Sequence, residues 1–207
     1  MATTTKQKHG ARRHELRIIG GEWKRTRLAV VDKPGLRPTP DRVRETLFNW
    51  LASLAGASGG ELPGWHCVDV FAGTGALGFE AASRGAASVL LCEQDAALIA
   101  QMQALKTKLD AEAVRIERGN GVTALERVPA GSVHAVFLDP PFDHPQLYEP
   151  ALRAGVRALR PDGVVYLEAA RRWGDDELTD FGLTPCRHLK AGAVHAHLLV
   201  RVSGSTA

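Results

Sequence analysis

Apolar positions along the chain change their period several times, and each change marks an element. Between Trp65 and Glu168, short apolar runs at 66–71, 88–92, 114–117, 133–138 and 164–168 alternate with longer amphipathic stretches at 76–84, 95–109, 121–127 and 146–159. The short runs have the length of buried strands and the long ones the 3.6-residue period of helices. Repeated strand–helix units predict a mostly parallel sheet with helices on both faces. After Trp173 the rhythm breaks. Two strands, 183–189 and 195–202, follow one another across residues 190–194 and predict an antiparallel hairpin that closes the sheet.

The chain before Trp65 reads differently. Segments 16–19 and 22–31 flank Gly20-Gly21, a pair able to take positive φ, and predict a β-hairpin whose second strand carries Trp23, Lys24, Arg25 and Arg27. Pro34-Gly35 and Arg37-Pro38-Thr39-Pro40 follow as a rigid loop. Thr39 is placed to N-cap a helix with Pro40 at its first position, and Val43, Leu47, Trp50, Leu51 and Leu54 then recur at helical spacing. The Gly/Ser/Ala stretch 56–60 ends that helix. The expected organisation is therefore a basic tail (1–15), a hairpin-and-helix extension (16–60) and a main α/β domain (61–207).

Composition narrows the function classes. The 207 residues are 44% hydrophobic and 24% charged, which excludes disordered and collagen-like chains. No apolar run approaches the roughly 20 residues a bilayer requires, and the first residues lack the apolar stretch of a secretory signal, so a cytoplasmic location is expected. Cys67, Cys92 and Cys186 lie far apart with no Cys-x-x-Cys pair and read as small core residues. Charge is unevenly spread: residues 1–44 hold 12 Lys and Arg against 4 Asp and Glu, whereas the remainder is net acidic. A basic arm on an acidic body suits a phosphate-rich partner, because each phosphate neutralised releases counterions.

Two loops carry candidate chemistry. Asp69-Val70-Phe71-Ala72-Gly73-Thr74-Gly75-Ala76-Leu77-Gly78 ends a strand and opens a helix with the Gly-x-Gly-x-x-Gly spacing of a nucleotide-type loop. Dinucleotides and S-adenosylmethionine both use such a loop. Asp69 favours the second, since a carboxylate there repels a pyrophosphate but can hold an ammonium group. Glu93, ending the second strand, is placed to accept from ribose hydroxyls. Asn120 can meet an adenine edge, or simply serve the turn Gly119-Asn120-Gly121.

Phe137-Leu138-Asp139-Pro140-Pro141-Phe142 is the more specific signal. A nucleobase amine is a poor nucleophile because its lone pair is delocalised into the ring. The Asp139 carboxylate and the Pro140 carbonyl can accept its hydrogens and localise that pair, the prolines hold both acceptors in place, and Phe142 offers a flat face for an extruded base. His195 and His197 alternate on a strand but lack a third ligand at a supportive spacing, so no metal is expected.

On Arg17-Ile18-Ile19-Gly20-Gly21, Leu36-Arg37-Pro38-Thr39, residues 41–49, the glycine loop and the Asp139–Phe142 turn, the chain resembles the bacterial RsmD family, 16S rRNA guanine-N2 methyltransferases. The resemblance implies a class I S-adenosylmethionine-dependent methyltransferase, a Rossmann-like, mostly parallel seven-stranded sheet with an N-terminal hairpin and helix extension. It implies cofactor contacts at Asp69, Gly73, Gly75, Glu93 and Asn120, and base contacts at Asp139, Pro140 and Phe142. The charge pattern adds Arg25, Arg27, Arg37 and Arg42 as an RNA-docking surface. The expected partner is 16S rRNA or the small ribosomal subunit, met by a monomer without membrane or metal. Amino-methyltransferases acting on adenine N6 or on a protein glutamine share the turn, an NAD-dependent oxidoreductase shares the glycine loop, and a non-catalytic rRNA-binding assembly factor could share the fold.

Overall fold

The computed structural model describes residues 16–28, 39–57 and 59–202. The elements run α1 (Asp41–Ala55), β1 (His66–Asp69), α2 (Ala76–Ser83), β2 (Ser88–Glu93), α3 (Ala96–Leu109), β3 (Val114–Arg118) and α4 (Gly121–Arg127). They continue with β4 (Val133–Leu138), α5 (Tyr148–Ala158), β5 (Leu159–Ala169), α6 (Asp175–Thr179), β6 (Leu183–Ala191) and β7 (Val194–Arg201). The strands form one seven-stranded sheet in the order β3-β2-β1-β4-β5-β7-β6. Strands β1 to β5 are parallel, and β7 inserts antiparallel between β5 and β6. The order reverses between β1 and β4, which opens a crevice at their carboxyl ends.

Two apolar layers cover the sheet. On one face Val68, Val136, Leu138, Leu152, Val165 and Leu167 form a cluster with α4, α5 and α6. On the other, Phe137 and Tyr166 meet α2, α3 and α1 through Phe79, Met102, Leu47, Phe48 and Leu51. The rings of Phe48 and Phe137 lie 6.1 Å apart, so α1 packs directly on the central strands. Each of these large side chains withdrawn from water contributes roughly 1.5–3 kcal/mol. The helix ends at Gly56, whose left-handed φ of 64° and amide bond to the Ala52 carbonyl close its last turn.

The N-terminal segment departs from the expected hairpin. Among the described residues its arms pair around Arg17 and Arg27, supported by amide bonds from Ile18 to Thr26, from Arg25 to Ile18 and from Leu28 to Leu16. Trp23, Lys24 and Arg25 lie in the turn rather than on a second strand. The cause is α2: the amide of Glu22 donates to the Ser83 carbonyl and that of Trp23 to the Ser83 hydroxyl, so these groups have no need of a strand partner. Gly21, at φ 75°, lies so close to Ser83 that an added Cβ would come within 1.8 Å of its carbonyl oxygen. The expected second-strand residues 29–31, the Pro34–Gly35 turn, Arg37 and the 1–15 tail lie outside the described residues.

Two further differences bear on the site. Thr39 does not cap α1; Pro40 occupies the N-cap position, and the Thr39 hydroxyl donates to Glu168 instead. The short helix α6 between Trp173 and β6 was not expected from the sequence. It is held by Glu177, which accepts from the Gly174 amide and from Arg171.

Candidate active site

The glycine loop is braced by two carboxylates. The Gly75 amide closes a turn onto the Ala72 carbonyl at 2.7 Å, and its φ of 78° belongs to the region that glycine tolerates best. A Cβ at Gly75 would come within 2.8 Å of the Phe79 ring. The Gly73 amide donates to Glu93 Oε2 at 2.8 Å, while Glu93 Oε1 accepts from the amides of Gln94 and Asp95. From the other side, Asp69 Oδ2 accepts from the Gly78 amide at 3.1 Å. Each carboxylate thus spends part of its acceptor capacity on the loop and retains further lone pairs. This bracing role was not read from the sequence.

The strand register assembles a cluster of acids. Leu138 pairs with Leu167, so Asp139 and Glu168, the next residues, stand side by side on adjacent strands. Asp69 pairs with Phe137 one strand away. Parallel partners share a face, so all three carboxyls lie on the α1–α2–α3 side, with strands about 4.8 Å apart. Among the described residues none of the three forms an ion pair. Burial, opposed by the Gly78 hydrogen bond and reinforced by Glu93 and Glu168, pushes the Asp69 carboxyl up to about 7. Burial, then the charges of Glu168 and Asp69, holds Asp139 well above the carboxylate range. Burial also raises Glu168, against the hydroxyls of Tyr166 and Thr39, which favour its ionised form. An acidic crevice whose carboxyls have no ion-pair partner among the described residues fits a ligand bearing an ammonium and a sulfonium, and therefore S-adenosylmethionine.

Glu168 was missed in the sequence reading. The signal was present: four apolar runs each end in one acid, at Asp69, Glu93, Asp139 and Glu168. Its Oε1 accepts from both Tyr166 Oη and Thr39 Oγ1 at 2.7 Å.

The Asp139–Phe142 turn follows β4 directly, beside the glycine loop. Asp139 is half-buried and Pro140 buried, while Phe142 is 37% exposed, one of two large apolar side chains so placed among the described residues. The Pro141 carbonyl accepts from the His144 amide at 3.0 Å and closes the turn. Asn120 is exposed at the start of α4, where its Oδ1 accepts from the Thr123 amide and caps the helix. Its side-chain nitrogen retains both of its donor hydrogens.

The basic residues divide. Arg27 is exposed and lines a cleft with Leu28, Thr74, Gln101 and Lys108, next to the glycine loop. Arg42 is exposed in the first turn of α1, close in sequence to Thr39 and hence to Glu168. Arg25 belongs to the turn docked at the far end of α2, about 12 Å of helix away from the loop. Arg37 lies outside the described residues. Arg44, by contrast, is fully buried: it donates to the carbonyls of Arg17 and Thr39, pairs with Asp41 at 2.6 Å and stands 3.6 Å from Glu80. Glu80, also fully buried, accepts from the amides of Ile19 and Gly20 and from Arg84 Nε. This network clamps the N-terminal segment and α1 onto α2.

His188 joins His195 and His197 at the β6–β7 hairpin, with ring centroids 4.8 to 6.4 Å apart. Both nitrogens of His197 are engaged, Nδ1 with the Leu167 carbonyl and Nε2 with the Trp173 amide, so the ring is neutral and closed to a metal. Burial, above all, pushes it down to about 4. Among the described residues no group of three His, Cys, Asp or Glu is arranged to hold a metal ion. None of their helices is long and apolar enough to cross a membrane. Cys67 and Cys92 are buried, with thiols pushed up to about 12 by burial and then by Asp69.

A seven-stranded sheet of this order, with a glycine loop after β1, is the fold of the class I S-adenosylmethionine-dependent methyltransferases, and the Asp-Pro-Pro-Phe turn follows its β4. The class takes its methyl group from that cofactor. Within it, the chain belongs to the family described as conserved hypothetical protein 95, matched over residues 16–200, which is the RsmD family. It is 46% identical over 129 residues to ribosomal RNA small subunit methyltransferase D of Escherichia coli, a match that covers 62% of this chain and 61% of that protein. To the protein of the same name from Haemophilus influenzae it is 40% identical over 163 residues, covering 76% and 80%. Among solved structures, a putative methyltransferase, yhhF, from Escherichia coli superposes with a TM-score of 0.73 at 33% identity, covering 90% of this chain and 98% of the other.

Proposed function

We propose that this chain transfers a methyl group from S-adenosylmethionine to the exocyclic N2 amine of a guanine in small-subunit rRNA. The observation that carries the reading is the Asp139–Phe142 turn at the switch point, beside a crevice where buried Asp69 and Glu168 and half-buried Asp139 form no ion pair among the described residues. The names of the relatives supply the rRNA substrate. The cofactor contributes an electrophilic methyl on a sulfonium. Asp69 holds the ammonium end, Glu93 accepts from the ribose hydroxyls, Gly73 and Gly75 let the backbone approach, and Asn120 donates to the adenine edge.

At the other side of the crevice, the Asp139 carboxylate and the Pro140 carbonyl accept the amine's hydrogens and turn its lone pair toward the methyl group. Phe142 stacks on the extruded base. The acceptors come from the turn itself, so the reading assigns no step to a metal ion. Arg27 and Arg42, at the site end of the molecule, contact phosphates, Arg25 adds charge at the turn of the N-terminal segment, and Arg37 is assigned to the same role from the sequence alone. Such contacts position RNA without reading sequence. The reading places a monomer in the cytoplasm, acting on 16S rRNA or on the small subunit.

The test combines a variant with product mapping. Asp139→Ala is expected to abolish transfer to rRNA while S-adenosylhomocysteine still binds, and rRNA from a strain lacking the gene is expected to lack one N2-methylguanosine. Activity within severalfold of the parent in a folded Asp139→Ala protein, or an unchanged nucleoside map, overturns the reading.

A further inference from the structure

We propose that Glu168 is a positioning residue for Asp139: fixed by the hydroxyls of Thr39 and Tyr166, it sets a second negative charge beside Asp139 and strengthens it as the acceptor of the amine's proton. The inference rests on the function proposed above and extends it to residues outside the turn. The register puts the two carboxyls on neighbouring strands and on one face. Glu168 is 2% exposed, and two donors at 2.7 Å fix one of its oxygens from opposite directions in the sequence, Thr39 from the start of α1 and Tyr166 from its own strand. A carboxyl held so firmly cannot turn away from its neighbour. The interaction also gives Thr39 a chemical purpose: it is buried, and its hydroxyl serves the site rather than a helix cap.

The groups facing Asp139 are Asp69 from β1, Glu168 and Tyr166 from β5, and Tyr148 from α5. The cation Arg171 acts on Tyr148. Two of these groups, Glu168 and Asp69, are acids, so the local field favours a proton on Asp139. In the transfer, the nitrogen lone pair forms the new C–N bond while the C–S pair stays on sulfur, giving a neutral thioether. The nitrogen, now cationic, releases a proton to the Asp139 carboxylate, from which it passes to solvent. Asp139 receives that proton more readily the higher its proton affinity, as long as it starts ionised.

The experiment measures kcat against pH for the full chain and for Glu168→Gln and Glu168→Asp, with an rRNA substrate. Removing the neighbouring charge is expected to move the acid limb of the profile about one unit to lower pH and to cut the plateau kcat about tenfold, one pKa unit corresponding to a factor of ten. Glu168→Asp keeps the charge and is expected to retain the parental limb. S-adenosylhomocysteine affinity should stay within twofold in both. Should Glu168→Gln fail to fold, Thr39→Val removes one donor with little change of shape, makes Glu168 easier to neutralise, and is expected to move the limb the same way by less. An acid limb that superimposes on the parent in the folded variants overturns the positioning role. Full activity of Asp139→Ala is a different failure, since it removes the reading on which the role depends.

Discussion

Asp69 links cofactor binding to pH in a range well above that of an ordinary surface carboxylate. Its proton affinity in the unliganded protein is raised to about 7, chiefly by burial. A cationic ligand beside it requires the ionised form, so binding expels a proton wherever the free site is protonated. At pH 8 such a group is ionised in about ten of eleven molecules and at pH 6 in about one of eleven, so affinity should fall roughly tenfold across that interval, with a limiting slope of about one log unit per pH unit below 7. Above pH 7 the affinity should level off.

The same shift sets the stability of the unliganded protein. The folded proton affinity lies above the unfolded one, so this contribution is fully present below about pH 4 and is lost as pH rises to 7, at about 1.4 kcal/mol per unit. Burial also raises Asp139 and Glu168, and Asp69→Asn isolates the effect of Asp69. Titration calorimetry with S-adenosylmethionine from pH 5.5 to 8.5, in buffers of different ionisation enthalpy, counts the released protons directly. An affinity that is flat across pH 6 to 8 with no proton release, or the same slope in Asp69→Asn, would falsify the assignment.

Other outcomes follow from the same geometry. Gly75→Val should eliminate S-adenosylhomocysteine binding by calorimetry, because Gly75 has a φ of 78° and its Cβ would meet the Phe79 ring and the Met102 sulfur; retained affinity would place the cofactor elsewhere. Glu80→Ala leaves Arg44 and Arg84 without their shared carboxylate and the Ile19 and Gly20 amides without an acceptor, and should cost about 3–5 kcal/mol in denaturant unfolding. A loss under 1 kcal/mol would mean that water replaces the carboxylate. The double variant Arg27→Ala, Arg42→Ala should weaken binding of an rRNA fragment and flatten its log–log salt slope by about 0.7 to 0.9 for each phosphate that is no longer neutralised. Superimposable salt curves would show that neither arginine contacts the RNA.

The alternation of strands and helices from His66 to Glu168 was legible in the sequence, because the period of apolar residues is imposed locally by the backbone. Helix α4 and strand β4 lie where the pattern put them. The glycine loop and the Asp139–Phe142 turn were legible for a related reason: their chemistry is carried by contiguous residues. Neighbours distant in sequence were not. The Thr39 hydroxyl was read as a cap because the residues beside it form a helix start, yet its acceptor is 129 residues away on β5. Arg25 and Arg27 read as one basic strand, but the docking of Gly21 and Trp23 onto Ser83 separates their surroundings. Arg44 looked like one more basic residue until α2 supplied the buried Glu80 opposite it. Above all, the acid cluster depends on which strands are adjacent and in what register, a choice made by the packing of both sheet faces together. A strand slipped by one residue would have sent Glu168 to the opposite face, away from Asp139.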